Sequence, residues 1–167
     1  RGGLMNPSGT KVYTSQGTTI NKGDLSSAFN MGTITQTNIT SSDFTLFRTM
    51  GWLDNGNKFW GATTNEVRIY SLTTAYDITG SASLIDTRTL PESSVSHIYE
   101  FSTGALALAI DGGTIKTYND TIETISATSV AQEVVTIGQA GQAYCFEYDD
   151  SSSKGMYLNE TSIYAVP

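Results

Sequence analysis

The chain has one histidine and one cysteine, and these two residues bound the proton-transfer and nucleophilic chemistry open to it. A Ser-His-Asp or Cys-His relay would have to run through His97, with Ser96 or Cys145 as nucleophile. Nothing around His97 resembles a nucleophile elbow, and its place at the start of an inner strand suits a structural role. Cys145 lies in the apolar run Ala143-Tyr144-Cys145-Phe146, where a thiol behaves as a small hydrophobe. A single cysteine also excludes an intrachain disulfide, a thiolate metal cluster and a CxxC redox pair. Carboxylates occur at Glu147, Asp149 and Asp150, but a glycosidase needs two of them facing each other across a cleft. Asp150 instead aligns with the turn residue Asp54. Asp111-Gly112-Gly113 and Asp149-Asp150-Ser151 lack the alternating-oxygen spacing and closing Glu of a calcium loop, and read as turns. Asn38, Asn119 and Asn159 open Asn-x-Thr sequons, which matter only in a eukaryotic secretory setting. The expectation is a protein with no catalytic residues, no metal and no cofactor.

Charge narrows the partners. The 167 residues carry a net charge of −7 with only nine Lys and Arg, so the basic patch of a nucleic-acid binder is missing. The most apolar run, Ala105 to Ile110, is strand-sized, and no stretch reaches the length of a membrane span. Hydrophobic residues at 38% are enough for a core, while the surface is rich in Ser, Thr, Asn and Gly. That composition suits an extracellular or virion β-protein. The sequence opens at Arg1 rather than Met, as expected of a processed or excised piece.

The elements that position these residues come from a repeat. Gly9-Thr10-Lys11-Val12-Tyr13 lies over Gly56-Asn57-Lys58-Phe59-Trp60 at a shift of about 47. At the same shift Ile20 falls on Val67, and Ser26-Ser27-Ala28-Phe29-Asn30-Met31 on Thr73-Thr74-Ala75-Tyr76-Asp77-Ile78. Val67 recurs as Ile115 and Ile163, and Lys58 as Lys154. The third copy is degenerate, with Thr124-Ile125 in place of the aromatic-Asp pair. The repeats run over about 1–47, 48–94, 95–142 and 143–167, the last incomplete, within one domain.

Each copy reads as four short strands. In the second these are Phe44 to Leu53, Lys58 to Thr63, Glu66 to Leu72 and Ser81 to Leu90, with a turn at Asp54-Asn55-Gly56. In the third strand Val67 and Ile69 face one side, Arg68, Tyr70 and Leu72 the other. Asp120 to Gln132, rich in Thr, Ser, Val and Ile, is expected to be β as well. Four strands per period is the signature of a propeller blade, so the expected fold is an all-β propeller of about four antiparallel blades. Tyr13 and Trp60 would fill space between blades, and Asp77 and Asn30 would bond nearby backbone at the entry to the outer strand.

Asn6-Pro7-Ser8-Gly9-Thr10-Lys11 and Leu72-Thr73-Thr74-Ala75-Tyr76-Asp77-Ile78-Thr79-Gly80-Ser81-Ala82-Ser83 resemble a propeller repeat of bacterial surface and phage proteins. Its blades read roughly F-S-P-D-G-T-K-M-Y-V … V-Y-Q-Y-x-L-S-T-A-W-D-I-S-T-A-S. The resemblance covers about the first 85 residues and implies a fold and a surface or virion setting, with no catalytic residues to carry over. Closure would come from a four-bladed ring, a ring shared between chains, or a longer protein. Aligning the inner strands brings Arg1, Arg48, His97 and Tyr144 to similar entry positions, where they would line one mouth of a channel or bind a ligand there. The leading expectation is a structural or adhesion module binding a protein or glycan, with a homo-oligomer open. A lectin with one pocket per blade is the alternative, and a glycoside hydrolase the least favoured.

Overall fold

The structure, a computed structural model, describes all residues except 1, 31, 33, 81, 137–144, 150–153, 159–162 and 167; from residue 145 onward it describes the backbone of the strands. The fold is all-β. The first sheet is formed by β1 (Gly3–Met5), β2 (Lys11–Gln16), β3 (Thr19–Leu25) and β4 (Ile34–Thr40) in that order. The second repeats the arrangement with β5 (Thr49–Leu53), β6 (Lys58–Ala62), β7 (Glu66–Ser71) and β8 (Ser83–Thr89). The third contains β9 (Val95–Glu100), β10 (Leu106–Ile110), β11 (Thr114–Tyr118) and β12 (Glu133–Thr136). The fourth has β13 (Cys145–Asp149), β14 (Lys154–Leu158) and β15 (Ile163–Val166). Every strand pair with a given register is antiparallel, so each sheet is a meander of sequence neighbours.

The chain divides into two compact units, Arg1–Thr63 with Arg68–Thr87, and Thr64–Val67 with Arg88–Pro167. In the first, alternation on β2 and β3 sends Tyr13, Ser15 and Ile20 to one face of the first sheet, where all three are buried. Tyr13 and Ile20 share a core with Phe44, Phe47, Met50, Phe59, Tyr70 and Ile78. Phe59 and Tyr70 stack with ring centroids 4.6 Å apart, and Phe44 meets both edge-on. Such ring pairs add about 0.5–1.5 kcal/mol each beyond the area they bury.

Two expectations are corrected here. Strand structure in the second repeat begins at Thr49, not at Phe44. Residues 44–47 form a linker whose two phenyl rings enter the same core instead of alternating between faces. Buried Ser15 holds that linker, accepting the Phe47 N–H at 2.9 Å and donating to the Thr45 carbonyl at 3.3 Å. Residues 120–132 contain no strand, since β12 starts at Glu133. Their hydroxyls take up the backbone donors that a ladder would need: Thr124 Oγ1 accepts from Thr121 N, Thr121 Oγ1 from Glu123 N, and Ser129 Oγ from Ser126 N. Ile122 and Ile125, both fully buried, anchor this loop in the second unit.

Phe47→Ala should destabilise the chain by about 3–5 kcal/mol in urea unfolding, because it empties a packed core site. Leu46→Ala, one residue away but 45% exposed, should cost less than about 1 kcal/mol.

Candidate functional site

The repeat motif builds the most elaborate polar and aromatic constellation in the first unit, and its two halves do different jobs. Within each copy the chain closes on itself in the same way. Leu25 N–H donates to the Thr10 carbonyl and Phe29 N–H to the Gly9 carbonyl; one repeat later, Leu72 donates to Asn57 and Tyr76 to Gly56. Phe29 and Tyr76 are both left-handed, with φ of 59° and 58°. Each aromatic ring then lies flat over its glycine, so that a Cβ on Gly9 or Gly56 would come within 2.6 or 2.5 Å of ring carbon. Both glycines have positive φ as well, so two independent constraints select the residue. Asp54 and Asn55 join Gly56 in left-handed geometry, as the turn reading expects. In the first copy the Asn6 side-chain oxygen accepts from Thr10 N and Lys11 N, both at 2.9 Å, and locks the same turn.

Between copies, the motif of one sheet grips the motif of the next. The Lys11 ammonium pairs with the Asp77 carboxylate. Tyr13 donates its hydroxyl to the Tyr76 carbonyl at 3.1 Å, and the Trp52 indole N–H donates to the Met5 carbonyl at 2.8 Å. Tyr13, Trp52 and Tyr76 form a chain of edge-on rings, with centroids 5.8 and 5.4 Å apart. Burial opposes the charge on Asp77, but hydrogen bonds from Lys11 and from the Thr79 hydroxyl and N–H outweigh it and bring the carboxyl down to about 2. Burial, together with the Asp77 charge, pushes the Tyr13 phenol above its ordinary range, so it remains a neutral donor. Asn30, the counterpart of Asp77, bonds its own loop, its side-chain oxygen accepting from Gly32 N at 3.0 Å. The outer-strand role expected for Asp77 and Asn30 is present, and the intersheet role of Asp77 goes beyond it. The signal was there in the identical spacing of Lys11 to Asn30 and Lys58 to Asp77, but no sequence rule says that the Lys of one copy pairs with the Asp of the next.

Of the four residues singled out for a ligand, Arg48 and His97 are described. Arg1 and Tyr144 are outside the described residues. Arg48 precedes β5 in the first unit and donates its N–H to the Ala62 carbonyl at 2.7 Å. His97 is the third residue of β9 in the second unit and pairs with Ala109, next to a register shift at Ala109/Ile110. Burial pushes the His97 imidazole down to about 4, a poor match for proton transfer at neutral pH. Ser96, its neighbour, donates to the Ala109 carbonyl at 3.0 Å. Cys145 lies in β13, and Asp150 and Asn159 fall outside the described residues; Asn38 and Asn119 are exposed. Among the described residues no group of three His, Cys, Asp or Glu is placed to hold a metal ion. In the second unit Glu92 accepts from Lys116 at 2.7 Å and from Tyr118 at 2.9 Å, a second Lys-carboxylate-Tyr cluster with different spacing.

A recess of about 170 Å³ opens on the first sheet between Val12, Thr14, Asn21, Lys22, Gly23, Ile34 and Gln36. It is polar at Thr14, Asn21 and Gln36 and has no aromatic wall. At the matching positions of the second sheet stand Phe59, Gly61, Arg68, Ile69 and Tyr70, so the recess is not repeated there.

Asp77 offers a direct test. Its folded value near 2 lies below the ordinary 3.8, so its contribution is complete above about pH 4 and fades as pH falls toward 2. Allowing for solvent screening of this partly exposed pair, Asp77→Asn should cost about 1 kcal/mol at pH 7. In urea titrations the gap between wild type and variant should close between pH 4 and 2.

No family model matches the chain, and no curated protein matches it in sequence. Among solved structures it is similar to a protein from Lactobacillus plantarum, with a TM-score of 0.56 and 12% identity over 98% of this chain and 50% of that one. It is also similar to a chain in a nucleoporin complex from Chaetomium thermophilum, with a TM-score of 0.51 and 13% identity over 94% of this chain and 40% of that one. The chain therefore spans half or less of the length of these structures, and the likeness is one of fold.

Proposed function

We propose that this chain is a non-catalytic propeller module that presents its turns and outer strands to a protein or glycan on a virion or cell surface. The observation that carries the reading is how the repeat motif is used: Lys11, Tyr13, Trp52, Tyr76 and Asp77 join one four-stranded sheet to the next, as blades of a propeller must be joined. The residues of highest chemical potential are committed to holding the scaffold. What remains at the surface is the outer strand β4, whose Thr35, Gln36, Thr37 and Asn38 are exposed hydroxyl and amide groups suited to bonding a polar partner.

A lectin with one pocket per blade is less well supported, because the recess beside Val12 and Gly23 is filled by Phe59 and Tyr70 in the next copy. A hydrolase would need His97 or a facing carboxylate pair, and the depressed His97 argues against the first. The chain should therefore turn over no substrate in a broad glycosidase and esterase panel, and on a glycan array or cell-surface panel its binding should be unchanged by His97→Ala. Turnover that disappears with His97→Ala would overturn the reading.

A further inference from the structure

The outer strand of the first sheet, β4, has backbone groups facing both sides and a paired strand on one. Consecutive residues of an antiparallel strand send their N–H and C=O alternately to the left and right neighbour. Leu25, the last residue of β3, donates its N–H to the carbonyl of Thr10, just before β2. By alternation Ile20, Lys22 and Asp24 turn theirs to β4, where they meet Ile39, Thr37 and Thr35. Gln36 and Asn38 lie between these pairs, so their N–H and C=O point away from the sheet, with Ile34 and Thr40 continuing the row. No strand pairs that row among the described residues, and residues 34–38 are all exposed.

Outer strands are normally protected against further pairing by charge, shortness, proline or a bulge. The outer strand of the second sheet, β8, carries Asp86 and Arg88, and β12 of the third is four residues long and opens on Glu133. β4 has none of these devices. Ile34-Thr35-Gln36-Thr37-Asn38-Ile39-Thr40 is uncharged, proline-free and in unbroken register along its whole length. Five of its seven residues are β-branched, which holds the strand extended before any partner arrives. We infer that β4 is a docking edge for an extended segment of a partner protein, which adds to the first sheet as a further strand. The inference rests on the surface-module reading and narrows its partner from protein or glycan to a peptide backbone. Outward amides recurring at every second residue, about 7 Å apart, match the repeat of a strand. A segment of small, β-branched and uncharged residues suits the Thr, Gln and Asn side chains it would meet across the ladder. The net charge of −7 opposes a second copy of this chain and favours a neutral or basic segment.

Panning a displayed library of short random peptides on the full chain tests this, with the enriched peptides then titrated by fluorescence anisotropy. Gln36→Pro and Asn38→Pro each delete an outward N–H that the ladder with β3 does not use, a position where an edge strand tolerates proline. With circular dichroism unchanged, each variant should bind the enriched peptides about tenfold more weakly. In wild type, bound peptide should slow amide exchange at Gln36 and Asn38. Thr35 and Thr37, already bonded to β3, should exchange slowly with or without it. This second readout needs no variant to fold. Failure to enrich any peptide, or enriched peptides that leave exchange at Gln36 and Asn38 unchanged, overturns the inference. So does a dimer in light scattering that either proline variant splits, since the edge would then belong to a second copy. Glycan-array binding by a chain that takes no peptide would leave the proposed function standing, so the two readings fail separately.

Discussion

The structure of the first unit depends on the contact of Lys11 and Tyr13 with Tyr76 and Asp77. A single four-stranded meander has two faces and cannot bury either alone. The first sheet solves this by covering Tyr13, Ser15 and Ile20 with the second, and the aromatic linker at Phe44 and Phe47 fills the space that twist leaves between them. Apolar packing of this kind is strong but indifferent to register. The ion pair, the Tyr13 and Trp52 hydrogen bonds and the edge-on rings are directional, and they fix how one sheet is laid on the next.

The turn glycines make this possible. Tyr76 offers its carbonyl to Tyr13 while its ring is folded back over Gly56. Phe29 is folded over Gly9 in the same way. In the third copy Gly104 is left-handed like Gly9 and Gly56, but the atom nearest its absent Cβ is the Thr121 methyl at 3.4 Å, not an aromatic ring. The degenerate copy keeps the turn and abandons the clasp, and the loop that follows is held by serine and threonine hydroxyls.

Much of the fold was legible because strand alternation and a shift of about 47 residues are local and repeated. Four strands in each of the first three copies, the turn at Asp54-Asn55-Gly56 and the shared side of Arg68 and Tyr70, which both donate to the Asp43 carbonyl, could be read from spacing. Phe44 to Phe47 misled because aromatic alternation looks the same in a strand and in a linker that dips twice into one core. Residues 120–132 misled because Thr and Ser favour strands on average, yet here bond their own backbone. The clasp itself was hidden: Lys11 and Asp77 are far apart in sequence, and a repeat shows which positions are equivalent but not which of them meet. Grouping Arg1, Arg48, His97 and Tyr144 rested on strand entry alone, and the register shift beside His97 is a feature that no alignment of strand starts can register.

The central claim is that the motif's lysine and aspartate join neighbouring sheets, and a double-mutant cycle on Lys11→Met and Asp77→Asn measures that link most directly. Urea unfolding of wild type, both single variants and the double variant at pH 7 and low salt isolates the coupling. The account predicts a favourable coupling of about 1 kcal/mol, with the double variant hardly less stable than either single one. Coupling within error of zero, with the two losses simply adding, would contradict it and leave the sheets joined by apolar packing, the aromatic rings and the Tyr13 and Trp52 hydrogen bonds.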